Sequence, residues 1–170
     1  MQEIERKFLL RNNDWRAQVS RSEPMLQGYL AGPPAAHCSV RVRVAGEAAM
    51  LNIKSAVAGI VRDEYEYAIP LADARGMLAT LARHSVEKVR HYVDVDGHVF
   101  EIDEFGGANA GLVVAEIELD AADAAFPRPH WLGREVSALL RYYNLNLAAH
   151  PYASWSEAER NVHDADPDAC

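Results

Sequence analysis

Cysteine is almost absent from this chain. Cys38 lies beside a candidate strand and Cys170 ends the sequence, which excludes a disulfide framework and any cysteine zinc spacing. No apolar run approaches the length of a bilayer crossing, and no basic region followed by an apolar segment opens the chain. Neither a membrane span nor a secretory leader is therefore expected, and the expected location is the cytoplasm. Positive charge is in the minority, 17 Lys and Arg against 25 Asp and Glu, so a nucleic-acid surface held by bulk electrostatics is not expected, although a local basic cluster is still allowed. The histidines form no paired motif and read as surface or supporting residues. What remains, 49% hydrophobic and 25% charged, is the composition of an ordinary globular protein with enough chain for one core. One domain is expected over residues 1–150, with a short helix and a frayed tail over 151–170.

What the chain does have is charge set at alternate positions. In Glu3-Ile4-Glu5-Arg6-Lys7, an extended strand points Glu3, Glu5 and Lys7 to one face at about 6.5–7 Å spacing, with Ile4 and Phe8 on the other. The same period returns in Cys38 to Val44, where Arg41 and Arg43 oppose Val40, Val42 and Val44. It continues in Met50 to Ser55, with Asn52 and Lys54 against Leu51 and Ile53, and in Ile60 to Ile69, with Arg62, Glu64 and Glu66 against Val61, Tyr65 and Tyr67. Val86 to Val95 places Lys88, Arg90 and Asp94 on a face with Tyr92. After the Asp96-Gly97 hairpin signal, Val99 to Phe105 carries Glu101 and Asp103, and Val113 to Asp120 carries Glu116 and Glu118. Met25 to Leu30 reads as a short strand holding Tyr29, ended by Gly32-Pro33-Pro34.

Between these strands, Asn12 to Asp14 with Trp15 and Val19 predict a short helix ending near Ser22. Leu71, Ala74, Leu78 and Leu81 predict a helix over 71–83 that covers an apolar sheet face. From Ala121 the pattern is helical and irregular, Trp131-Leu132-Gly133 leading into Glu135 to Leu140 and Tyr142 to Leu147 extending it.

Polar strand faces carrying both signs admit two explanations. In the first, an antiparallel sheet has one face in water and its charges pair across strands. In the second, the sheet closes with its charged face inward, which removes the exposed edges, and helices cover the apolar outside. Such an interior must be wet and must hold something ionic, because unpaired buried charges cost several kcal/mol each. Arginines would offer planar bidentate hydrogen bonds to a polyanion, and neighbouring carboxylates would hold a hard divalent cation.

Glu3-x-Glu5-x-Lys7, Arg41-x-Arg43, Lys54, Arg62-x-Glu64-x-Glu66, Lys88-x-Arg90 and Glu116-x-Glu118, in that order, resemble the CYTH, or triphosphate tunnel metalloenzyme, superfamily. Trp131-Leu132-Gly133-x-Glu135-Val136 and Tyr143-Asn144-x-x-Leu147-Ala148 extend the resemblance to about residue 150. It implies an α+β, mainly antiparallel fold, a closed eight-stranded β-barrel with helices packed outside, working with Mg2+ or Mn2+. It implies that Lys7, Arg41, Arg43, Lys54, Arg62 and Arg90 grip phosphate oxygens and that Glu3, Glu5, Glu116 and Glu118 hold metal, Glu5 placing the activating ion. Lys88, with Tyr29 nearby, would give a proton to the leaving phosphate; Glu64, Glu66, Glu101 and Asp103 would orient cations, hold metal-bound water or serve as structural ion pairs.

The activity implied is hydrolysis of inorganic tripolyphosphate to pyrophosphate and phosphate. The alternatives are an adenylate cyclase, a thiamine or nucleoside triphosphatase on the same tunnel, or a polyphosphate-binding module without catalysis. The expected partner is a small polyanion, with neither nucleic acid nor membrane, and apolar outer strand faces are compatible with a homodimer.

Overall fold

The computed structural model describes residues 2–55 and 59–160. Its strands are β1 (Gln2–Leu10), β2 (Val19–Ala31), β3 (Cys38–Ala45), β4 (Ala48–Ser55), β5 (Val61–Ala68), β6 (His84–Val95), β7 (His98–Phe105), β8 (Val113–Glu118) and β9 (Leu132–Glu135). Its α-helices are α1 (Leu71–Thr80), α2 (Asn144–Ala149) and α3 (Glu157–Arg160). The strands run β5-β4-β3-β2-β6-β7-β8-β1, and β1 returns to β5 through Gln2 opposite Asp63, Glu3 opposite Arg62 and Ile4 opposite Val61. Every pairing is antiparallel, so eight strands close into a barrel, as the resemblance implied.

Closure follows from the two faces. The outward residues Ile4, Phe8, Val93, Phe100, Ile102 and Ile117 form one apolar layer with Trp15 and Trp131, both fully buried. On the other flank, α1 lays Ala74, Leu71, Met77 and Leu78 over Val42 and Ala49. Gly28 makes that approach fit, since a Cβ there would stand 2.6 Å from the Leu78 Cδ2. The charged faces are left to the interior.

The interior also has a dry end. One step past the charges, the inward positions become Leu9, Val86, Phe105 and Val114. They pack with Leu112, Val136, Tyr142, Leu147 and Trp155, so the chain after β9 caps the barrel there.

Several elements differ from expectation. The first helix is a 3-10 turn, Asp14–Gln18, just long enough to bury Trp15 against the His91 ring, and Val19 already begins a thirteen-residue β2. The stretch expected to be helical after Ala121 contains β9, which pairs with β1 at Phe8–Glu135 and Leu10–Leu132. Beyond Ile4, β5 no longer covers that edge of β1, and its free backbone groups take the nearest strand. Gly133 permits this contact, a Cβ there lying 2.7 Å from the Leu9 carbonyl oxygen. Helix α1 stops at Thr80 and leaves Leu81 exposed, because β6 starts at His84. Asp94 stands at the exposed rim, where its Oδ1 accepts the Gly97 N–H at 3.2 Å and closes the hairpin. The tail expected over 161–170, with Cys170, lies outside the described residues.

Candidate active site

Strand alternation places fifteen of the sixteen expected site residues on one cavity of about 1080 Å³ inside the barrel. Glu3, Glu5 and Lys7 come from β1; Tyr29 from β2; Arg41 and Arg43 from β3; Lys54 from β4; Arg62, Glu64 and Glu66 from β5; Lys88 and Arg90 from β6; Glu101 from β7; Glu116 and Glu118 from β8. Asp103, on the same inward face of β7 as Glu101 but fully buried, lies below the open cavity and accepts from Lys88 and Arg90.

Two ion-pair networks meet on β1. In the first, Lys7 bonds Glu116 and lies 2.6 Å from Glu5. Arg90 reaches Asp103 at 2.7 Å through Nε and Glu116 at 2.6 Å through Nη2, and also bonds Glu101. In the second, Lys54 is 2.7 Å from Glu3 and 3.3 Å from Glu64, while Arg62 is 3.4 Å from Glu3 and 3.2 Å from Glu5. Arg43 pairs with Glu66 at 2.7 Å. Cross-strand pairing, expected of a solvated sheet, thus occurs inside the closed one.

Arg41 is the exception. Among the described residues it has no carboxylate partner; its Nη1 donates to the Gln27 Oε1 at 3.3 Å and its Nε has no partner, although the residue is buried. A buried guanidinium without an anion is an electrostatic cost that an anionic ligand would relieve.

The protonation states follow from these neighbours. Burial works against the Lys7 charge, but Glu116 and Glu5 outweigh it and hold the ammonium above its usual range. Arg90 is held well above its usual range, Asp103, Glu116 and Glu101 overcoming burial. Glu116 lies well below the usual carboxylate range, because Lys7, Arg90 and Lys88 overcome burial. Lys88 goes the other way: burial, then Arg90, lowers it to about 8, with Asp103 and Glu116 offsetting only part.

Glu118 is pushed up by burial and then by Glu3, Glu101, Glu64 and Glu5, all of them acids. Among the described residues, no three acidic, histidine or cysteine side chains converge tightly enough to hold a metal unaided. The donor set still fits a hard divalent cation of the Mg2+ kind, which takes one or two carboxylates and completes its shell with water and phosphate oxygens. A cation beside Glu118 would also relieve the repulsion among these carboxylates.

Tyr29 shares the cavity with Lys88 but is not its strand neighbour. Its strand partners are Arg41 and His84, and its phenol, pushed up by burial, is opposed chiefly by Arg41, whereas Met25 sits opposite Lys88. Three further residues line the cavity outside the expected site set, of which Tyr143 had entered only through Tyr143-Asn144-x-x-Leu147-Ala148. Gln27 and Asn52 share the inward faces of β2 and β4, and Asn52 donates to Glu64 and Glu66. Their period-two spacing from Tyr29 and Lys54 was the available signal. Tyr143, far away in sequence, places its ring 5.2 Å from the Arg62 guanidinium and 6.0 Å from the Lys7 ammonium. Its hydroxyl donates to the Ser137 carbonyl at 3.0 Å.

Comparison with known proteins agrees with this geometry. The chain is 40% identical over 156 residues to an inorganic triphosphatase of Acetivibrio thermocellus, covering 91% of this chain and 98% of that one. It is 35% identical over 151 residues to an inorganic triphosphatase of Nitrosomonas europaea, covering 87% and 97%. The crystal structure of an inorganic triphosphatase superposes with a TM-score of 0.63 at 33% identity, covering 86% of this chain and 93% of that one. The CYTH domain matches residues 1–152. With that match spanning the whole barrel and its charged interior, the chain belongs to the CYTH domain family.

Proposed function

We propose that this protein hydrolyses inorganic tripolyphosphate to pyrophosphate and phosphate inside the barrel. The observation that carries the reading is the set of inward cations from five strands, with the buried Arg41 lacking any carboxylate among the described residues. The names of the curated relatives support it. Lys7, Arg41, Arg43, Lys54, Arg62 and Arg90 bind phosphate oxygens, exchanging part of their carboxylate contacts for substrate. Glu3, Glu5 and Glu118 would hold Mg2+ or Mn2+, Glu3 and Glu5 giving up part of their contacts with Lys54, Arg62 and Lys7; Glu116, clamped by Lys7 and Arg90, chiefly aims those two cations and offers the metal less.

When bound, the divalent cation supplies charge neutralisation and a water of lowered pKa for attack at the terminal phosphorus. Positioning by this chain does the rest. Lys88, its pKa at about 8, carries a proton near neutral pH and gives it to the leaving pyrophosphate oxygen. Asp103 holds Lys88 and Arg90 from below, Asn52 fixes Glu64 and Glu66, and the Tyr29 hydroxyl acts beside Arg41.

A second reading has an observation of its own. The cavity continues past Tyr29 to Pro33, Pro34 and Leu145 beside Arg83 and His84, where an organic group on a triphosphate, as in thiamine or nucleoside triphosphates, would lie. A module that only binds polyanion has no use for acids beside its ligand.

No described helix is long and apolar enough to cross a membrane. The reading places the protein in the cytoplasm, acting on a small polyanion and not on nucleic acid. Tyr65 and Tyr67, exposed on the outer face of β5, leave a surface for a homodimer. The tunnel domain is assigned to 1–150 and the appendage to 151–170, its first part packed on the closed end through Trp155.

The test is phosphate release from tripolyphosphate, ATP and thiamine triphosphate in parallel, with Mg2+, Mn2+ or chelator, and cyclic AMP measured on the ATP sample. Metal-dependent turnover of tripolyphosphate above the others is expected. Cyclic AMP, or preferential release from an organic triphosphate, would overturn the preferred substrate.

A further inference from the structure

Gln27 lies on the inner face of β2 between Met25 and Tyr29, opposite Arg43 on β3 and Val86 on β6. It lines the cavity and is 0% exposed. Its Oε1 accepts from Arg41, while its Nε2 has no partner. That orientation is forced. A guanidinium can only donate, so the amide must turn its oxygen to Arg41, and the group left over is a donor pair. The Arg41 Nε beside it also has no partner. Buried donors without acceptors are rare in native proteins, and two on neighbouring side chains of one cavity point to an anionic ligand that supplies the acceptors.

We propose that Gln27 contacts the substrate, its amide N–H group donating to a phosphate oxygen while its Oε1 holds Arg41 toward the same phosphate. This rests on the polyphosphate reading above. A neutral donor suits this place. Arg43, directly opposite, is already weakened as a cation by burial and by Arg41, so another positive side chain here would add repulsion. The amide adds a hydrogen bond without adding charge.

The experiment compares Gln27→Met and Gln27→Glu with the wild type by equilibrium binding of tripolyphosphate and by KM and kcat with Mg2+ present. Methionine removes donor and acceptor at similar size. Glutamate keeps an acceptor for Arg41 but replaces the donor with an anion. The expected result is a loss of affinity of about tenfold for Gln27→Met and about a hundredfold for Gln27→Glu, seen in KM more than in kcat. The Gln27→Glu deficit relative to wild type should narrow only when pH falls far enough to protonate the new carboxyl and give it back a donor, a point that pairing with Arg41 moves below the ordinary glutamate range.

Thermal unfolding of Gln27→Glu is expected to stay at or above the wild-type value, because the new carboxylate pairs with Arg41. Should Gln27→Met not fold, Gln27→Glu alone decides. Binding by Gln27→Glu equal to wild type, or tighter than by Gln27→Met, would overturn the contact and leave Gln27 only an acceptor for Arg41. Failure of the wild type itself to bind tripolyphosphate would instead overturn the functional reading, and this inference with it.

Discussion

Asp103 is fully buried and holds two cations, Arg90 through its Nε and Nη2 at 2.7 Å each and Lys88 through its ammonium. Asp103→Asn keeps the shape, removes the charge and turns an amide N–H group toward groups that can only donate. Removing one partner of a buried ion pair costs about 3–5 kcal/mol. Arg90 retains Glu116 and Glu101, so the lower end, about 3 kcal/mol, applies. At about 2–4 °C per kcal/mol for a chain of this size, the melting temperature should fall by about 6–12 °C. Lys88 adds a second signature. Asp103 raises its pKa, so without Asp103 the ammonium loses its proton below its present value of about 8, and the alkaline limb of the pH–rate profile should move to lower pH. Circular dichroism melts at pH 7 and a pH–rate profile with tripolyphosphate measure both effects. A melting temperature within about 2 °C of wild type would refute the network account, since that corresponds to about 1 kcal/mol or less.

Arg41→Ala should do the reverse of Asp103→Asn: the Kd for tripolyphosphate rises about 10–100-fold, while the melting temperature holds or rises, because the arginine has no carboxylate to leave stranded. Calorimetric binding and a melt check this pair of outcomes. Lys88 tests the pH linkage. Its folded value of about 8 lies below the ordinary lysine value of 10.5, so the unfolded chain binds more protons between those values and wild-type stability gains as pH rises through that window. The melting temperature of wild type minus that of Lys88→Met should therefore increase from pH 8 to pH 10; a flat difference would contradict the buried ammonium. Glu118→Gln should raise the Mg2+ concentration for half-maximal activity on the order of tenfold, as loss of a metal-orienting carboxylate does. An unchanged metal titration would remove Glu118 from the ligand set.

The barrel was legible because one face of each strand announced itself. Glu3, Glu5 and Lys7, or Arg41 and Arg43, can share a face only in an extended strand, and so many two-signed faces in one short chain are best satisfied by turning inward. β9 was not legible, since Leu132–Glu135 is four residues with little alternation, and it is a strand only because β1 has a bare edge there. Gln27 carries no charge and so stood out from nothing, and Asn52 was placed on the face of Lys54 but, being neutral, was given no role, although both sit in step with residues that were. The dry cap was readable in principle: Leu9, Val86, Phe105 and Val114 each end a charged face at the same side of the barrel. Which side that is depends on pairing register, and register is a tertiary property. Tyr143 and its cation contacts depend on the path of the chain after β9, and local spacing does not encode that path.

The central claim is that the charged interior directs water to the terminal phosphorus of a tripolyphosphate. It is tested most directly by turnover in water enriched in oxygen-18, with products resolved by phosphorus NMR. Orthophosphate carrying the heavy oxygen, unlabelled pyrophosphate in equal amount, and loss of both with chelator are the results the account predicts. Label in the pyrophosphate, or turnover indifferent to chelator, would contradict it.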